Sequence, residues 1–260
     1  GTKVDKVACA VYDADGNEVR GLYKVEDVFG KTATYNVRLA KGQKYRIAFF
    51  AYNQAANAYE VTNLKSIKVN GNQLSNVEGR DAFTAYVDVT ESETMNAFTK
   101  EVTLKRPFAQ LNLGIDAVEL EDAKKAGIEV AESKIVVSNV YKAFSAFDNA
   151  VAENAVEGSM TFELNAIPTE KLKVTVNGVE KLYNYLALNY LLVGDKDTEK
   201  SLTDVEFIWK GKDGETNDPT TTFLNIPVQR NYRTNIIGKL LTSPANFTIV
   251  VDAEFDGEKV

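Results

Sequence analysis

The sequence predicts an all-β protein of two β-sandwiches in tandem, an N-terminal domain at 1–104 and a C-terminal domain at 105–260, with one short helix in the second. Three observations predict it. Apolar and polar residues alternate with a period of two through most of the chain, as they do in half-buried strands. Turn residues separate the short apolar runs at roughly the 8–12-residue spacing of sandwich strands. Val-Asn-Gly occurs once in each half, at 69–71 and 176–178, so both halves carry a strand that ends in a strong turn dipeptide.

The elements follow in chain order. Val7-Ala8-Cys9-Ala10-Val11 is an alternating run. Asp13-Ala14-Asp15-Gly16-Asn17-Glu18 then reads as a hairpin turn built on Asp-Gly. Thr34 to Leu39 places Tyr35, Val37 and Leu39 on one face, and Ala40-Lys41-Gly42-Gln43 turns the chain. Tyr45 to Tyr52 returns as a more fully buried strand, which completes a hairpin signal. Ser66 to Val69 ends at Asn70-Gly71. Val102-Thr103-Leu104 reads as a strand, and Pro107 just after it cannot donate to a ladder, so it belongs at an edge or a bulge. Ala109 to Ile115 directs Leu111, Leu113 and Ile115 inward.

Glu119 to Ala126 is rich in helix formers and Gly127 stands where a C-terminal cap is needed, which predicts a short helix. Lys134–Val137, Thr161–Leu164 and Lys173–Val176 continue the strand pattern, the last ending at Asn177-Gly178. Leu182 to Val193 fits a helix or a buried strand equally. Asn231 to Leu241 alternates again, and Ser243-Pro244-Ala245-Asn246 turns it. The final strand directs Phe247, Ile249, Val251, Ala253 and Phe255 inward.

Composition bounds the function. With 260 residues the chain can bury a core without staples. The net charge of −7 repels phosphate backbones and anionic lipid heads, and the longest basic cluster is Lys105-Arg106, so nucleic acid is not an expected partner. No apolar run approaches the length needed to span a bilayer. Gly1-Thr2-Lys3 is polar, so the protein is either cytosolic or its sequence begins after a removed leader. Cys9 is the one cysteine, which leaves the redox compartment open.

Catalytic chemistry is poorly provided for. There is no histidine, which removes Ser-His-Asp and Cys-His arrangements and most zinc sites. Cys9 has no base beside it in sequence and reads as a buried structural thiol. The acids of Asp13–Glu18 resemble calcium ligands in their alternation, but the late bidentate glutamate of an EF-hand is missing. No glycine-rich phosphate loop occurs. No catalytic, cofactor-binding or metal-binding residue is therefore expected, and the protein is expected not to be an enzyme. Two other classes stay open. A glycan-binding sandwich would need exposed coplanar aromatics, for which the twelve tyrosines and Trp209 are the supply. A cleft hydrolase would need one pair of facing carboxylates.

Four stretches together carry a resemblance. They are Val37–Tyr45 followed by Ala48–Tyr52; Arg80-Asp81-Ala82-Phe83; Thr103 to Asn112, with Arg106-Pro107-Phe108 at its centre; and Pro227 to Gly238. In order and spacing, over nearly the whole chain, the sequence resembles the fimbrillins, the pilus-building proteins of anaerobic Gram-negative bacteria. The resemblance implies two transthyretin-like sandwiches and export as a lipoprotein to the outer membrane, with the lipid-bearing cysteine on a leader upstream of Gly1. It also implies a place in a fimbria and a part in cell adhesion. In that family an arginine-specific protease removes a leading strand from stalk subunits, and the vacated groove accepts a strand from a neighbour, which is strand addition at a sheet edge. Other pilin subunits are then the expected partners. Arg20-Gly21 follows the first strand, where either a cleavage site or an ordinary hairpin residue fits. Stalk, tip and anchor roles all remain open, and Arg106-Pro107-Phe108 is expected to be structural.

Overall fold

The computed structural model describes residues 3–70, 73–194 and 200–252. In chain order the first strands are β1 (Lys6–Tyr12), β2 (Lys24–Asp27), β3 (Tyr45–Tyr52), β4 (Tyr59–Glu60), β5 (Ile67–Val69), β6 (Gln73–Leu74) and β7 (Phe83–Val89). Next come β8 (Ala109–Ile115), the helix α1 (Ala117–Lys125), β9 (Val130–Val140), β10 (Ala143–Ser145), β11 (Ala150–Val151) and β12 (Gly158–Glu163). The chain continues through β13 (Asn165–Ala166), β14 (Lys171–Val176), β15 (Val179–Leu191), β16 (Lys200–Gly211), β17 (Thr221–Gln229), β18 (Arg233–Gly238) and β19 (Phe247–Asp252). The protein is mostly β.

The strands of the described residues form four sheets. One has the order β2-β1-β3-β7 and another β14-β15-β8-β18-β19. A third runs β17-β16-β9-β12-β6, with β13 also on β9, and the fourth is β11-β10-β5-β4. The last two draw strands from both sides of position 104: β5 pairs antiparallel with β10, and β6 pairs parallel with β12. The largest core cluster lies between the β8 and β9 sheets and includes Leu111, Leu113, Ile135, Phe162, Phe207 and Ile236. A second cluster joins Ala8, Ala10, Tyr12 and Phe50 to Phe108, Phe144, Leu188 and Tyr190. It is aromatic, with Phe108 stacked on Tyr59 at 5.4 Å, a geometry that adds to the area such rings remove from water.

Several expected elements form as read. β3 occupies Tyr45–Tyr52. Asn177 and Gly178 both have positive φ, 52° and 78°, and close the tight turn between Val176 and its partner Val179. The helix runs Ala117–Lys125, two residues earlier than its composition suggested, because the Asp116 carboxylate accepts from the Glu119 backbone N–H at 2.8 Å and caps it. It ends in a Schellman motif: Gly127 at φ +82° donates to the Lys124 carbonyl, and Ile128 donates to the Ala123 carbonyl.

Other expectations change. Thr34–Leu39 is not a strand. Tyr35, Val37 and Leu39 do turn inward against Val11, Ile47 and Val89, but residues 33–39 make no backbone–backbone hydrogen bond among the described residues. Alternation reports which face is buried; a strand also needs a neighbour. Val102–Leu104 likewise lies outside the strands, and the pairing there is one bridge, in which Lys105 and Thr84 exchange bonds of 2.8 and 2.9 Å. Leu182–Val193 belongs to strand β15 up to Leu191; the residues from Leu186 onward are buried on both faces, which erases the alternation. In the last strand, Phe247 is 36% exposed and leans on Phe223, while Ile249 packs on the core. Ala253 and Phe255 lie outside the described residues, as does Gly71.

Candidate assembly site

β1 is the centre of the candidate site. It sits between β2 and β3, with four register pairs to β2 (Lys6↔Asp27 to Cys9↔Lys24) and seven to β3 (Lys6↔Tyr52 to Tyr12↔Arg46). Every residue from Val7 to Tyr12 is buried. The even positions Ala8, Ala10 and Tyr12 enter the aromatic cluster. On the opposite face, Val7 and Cys9 pack with Phe83 and Leu104, and Val11 with Ile47 and Val89. Three core clusters thus depend on one strand close to the chain's beginning. Burial pushes the Cys9 thiol up to about 12, so it is a packed, unreactive group.

The segment that leaves β1 is exposed. Asp13–Glu18 is a turn, closed by the Tyr12↔Glu18 bridge and by Gly16 at φ +78°. The Asp13 carboxylate accepts from the Asp15 and Asn17 N–H groups at 3.0 and 2.8 Å, and these bonds, Asn17's first, hold its pKa below the usual range. Its oxygens serve the backbone of their own turn. Arg20 and Gly21 lie in a second exposed turn, closed by Leu22 N–H donating to the Val19 carbonyl at 3.2 Å. Gly21 has φ +80° and no atom within 4 Å of where a Cβ would sit, so the backbone there stands clear of its surroundings.

Two of the stretches that carried the resemblance meet in space. Arg106, 2% exposed, donates from Nε and Nη2 to the Asp81 carboxylate and lies over the Phe83 ring at 4.6 Å. A bidentate pair of this kind anchors a backbone that has no strand to hold it. Arg106-Pro107-Phe108 is therefore structural: Phe108 fills the aromatic cluster, and Pro107 precedes β8, where no ladder N–H is required of it.

Of the tyrosines that a glycan platform would draw on, five are buried and six are partly buried. The twelfth, Tyr86, is exposed at 38%, and the Arg46 guanidinium covers its face at 4.0 Å. Trp209 is half-buried against the main core. A cavity of about 260 Å3 between α1 and the sheets is lined by Leu120, Val130, Leu186 and other apolar groups, and Glu170 is the one carboxylate in its lining.

One surface was missed in the sequence. Leu22, Lys24, Asn36, Val37 and Arg38 line a groove of about 370 Å3 between β2 and the extended segment 33–39. Its signal was a local charge imbalance: residues 20–46 hold seven Lys/Arg and two acids in a chain whose net charge is −7.

Residues 5–260 match a family described as a family of unknown function (DUF6562). None of the curated proteins matches the sequence. Among solved structures, the chain is similar to a candidate polysaccharide-binding protein (DUF1812) from Bacteroides thetaiotaomicron, at 15% identity and a TM-score of 0.54, covering 96% of this chain and 88% of that one. It is also similar to two fimbrial proteins of Porphyromonas gingivalis. The fimbrial anchor protein Mfa2 gives 12% identity and a TM-score of 0.45, with 96% and 88% coverage. The tip fimbrial protein Mfa3, with a C-terminal truncation, gives 14% and 0.48, with 97% and 95% coverage.

Proposed function

The chain belongs to the DUF6562 family, and we propose that it is a non-catalytic, fimbrillin-like surface protein that serves cell adhesion as a structural, tip or anchor subunit of a pilus. In this reading the protein is exported as a lipoprotein, held at the outer membrane by a lipid on a leader upstream of Gly1, and organised as tandem transthyretin-like sandwiches. It joins its neighbours by strand addition.

The observation that carries the reading is β1. A strand buried on both faces in mid-sheet, followed by an exposed arginine in a turn, suits excision. Removing it would open β2 and β3 as facing edges and uncover three core clusters. An apolar slot with two unpaired edges binds another strand strongly, and left empty it aggregates.

The test is an immunoblot of surface extracts from the native organism, run unheated and heated. A ladder that collapses on boiling supports a strand-exchanged stalk subunit. A single band in both lanes refutes the stalk role and leaves a tip subunit, an anchor subunit or a monomeric glycan-binding module. Absence from the surface fraction overturns the reading altogether.

A further inference from the structure

The groove beside β2 has two unusual walls. On one side is the outer edge of β2, the terminal strand of its sheet. On the other is the segment 33–39, whose backbone bonds to no other backbone among the described residues. Side chains alone tie the walls together: Lys24 Nζ donates to the Asn36 carbonyl at 3.3 Å, and the Tyr35 hydroxyl donates to the Leu22 carbonyl. Tyr35, Val37 and Leu39 anchor the segment to the core below. Its side chains alternate between partly buried and exposed as in a strand, and apart from the Asn36 carbonyl its backbone groups have no hydrogen-bond partner among the described residues. An ordered, unpaired extended backbone is a template for another strand.

The surroundings select the sign of the guest. Residues 20–46 have a net charge of +5, so the rest of the chain carries −12. Lys44 faces Glu91 and Arg46 pairs with Asp88, but Arg20, Lys24, Lys31, Arg38 and Lys41 are exposed and have no carboxylate within ion-pair distance among the described residues. Val25 (44% exposed) on the same edge and Phe29 (77%) just beyond it add apolar surface.

We propose that the groove between β2 and residues 33–39 binds an acidic polypeptide segment in extended conformation, through backbone ladder bonds and contacts of its carboxylates with Lys24 and Arg38. The backbone walls favour a peptide over an anionic polysaccharide, which has no amide ladder to offer. This site exists in the intact chain and does not depend on the pilus reading or on loss of β1.

The test uses the intact protein and fluorescence anisotropy at low and physiological salt. The probes are a labelled seven-residue peptide of alternating glutamate and valine, two versions N-methylated on alternate residues in either register, and polygalacturonate. The peptide is expected to bind, more weakly as salt rises. At least one N-methylated version should lose tenfold or more, and so should the double variant Lys24→Glu/Arg38→Glu, whose unchanged thermal midpoint would report an intact fold. No peptide binding overturns the proposal. So does equal binding of the peptide and both N-methylated forms, or indifference to the double variant. Preference for polygalacturonate over the peptide reassigns the groove to anionic glycans and equally overturns it.

Discussion

Asp81 and Arg106 form a bidentate ion pair inside the protein: Arg106 Nε and Nη2 each reach a carboxylate oxygen at 2.8 Å, with side-chain exposures of 2% for Arg106 and 5% for Asp81. The pair joins the residues before β7 to those before β8. Such a pair is costly to break from one side, because the surviving charge stays buried. Arg106→Met or Asp81→Leu alone is expected to lower stability by about 3–5 kcal/mol, whereas the double substitution restores most of the loss. Urea denaturation of the three variants checks this, and equal losses in single and double variants would refute it.

Gly114 lies on β8 beneath the β14–β15 hairpin. A Cβ there would sit 2.8 Å from Leu172 Cδ2 and 3.2 Å from Tyr183 Cβ. Gly114→Ala should therefore cost roughly 1–3 kcal/mol through overpacking. The paired change Gly114→Ala/Leu172→Ala removes the clash and should recover part of the cost, although the shortened Leu172 gives up its own burial. Thermal unfolding of the two variants is the measurement.

Cys9 reports on β1. Its thiol is fully buried and raised to about 12, so a disulfide reagent at pH 8 should leave it unmodified in the native protein and label it fully in denaturant. Any opening that withdraws β1 exposes this thiol. The labelling rate in native buffer thus measures the free energy of releasing the strand. Labelling within seconds without denaturant would contradict the placement of β1 in mid-sheet.

Glu93 gives a pH signature. Lys100, then the Thr90 backbone and hydroxyl, donate to its carboxylate, the Lys100 pair at 2.8 Å, and hold it at about 2 against an ordinary 4.5. A depressed carboxylate contributes stability that is complete above 4.5 and fades as pH falls from there toward 2. The urea midpoint should decline across that window, and less steeply in Glu93→Gln. Parallel pH profiles for the two proteins would count against it.

The sequence disclosed side-chain directions better than it disclosed hydrogen bonding. Alternation turns Tyr35, Val37 and Leu39 inward, as the structure does, yet their backbone has no backbone partner among the described residues, because pairing depends on what lies alongside and alternation does not encode it. Leu186–Leu191 gave no period, since both of its faces are covered. Arg106 was read as structural on the strength of the neighbouring proline; its partner Asp81, 25 positions earlier, could be found only in three dimensions. β1 was legible as a strand from Val7–Val11. Its place between β2 and β3 was not, because the order of strands in a sheet is a long-range property.

The pairing of β5 with β10 and of β6 with β12 has a consequence for biosynthesis. β5 and β6 can complete these pairings only after β10 and β12 have been made. A ribosome adding about 5–20 residues per second therefore holds the first half partly unpaired for several seconds. Over that interval the nascent chain has open edges and bare aromatic surface. A chaperone that keeps it unfolded until synthesis ends would suit this topology better than one that waits for the first half to fold alone.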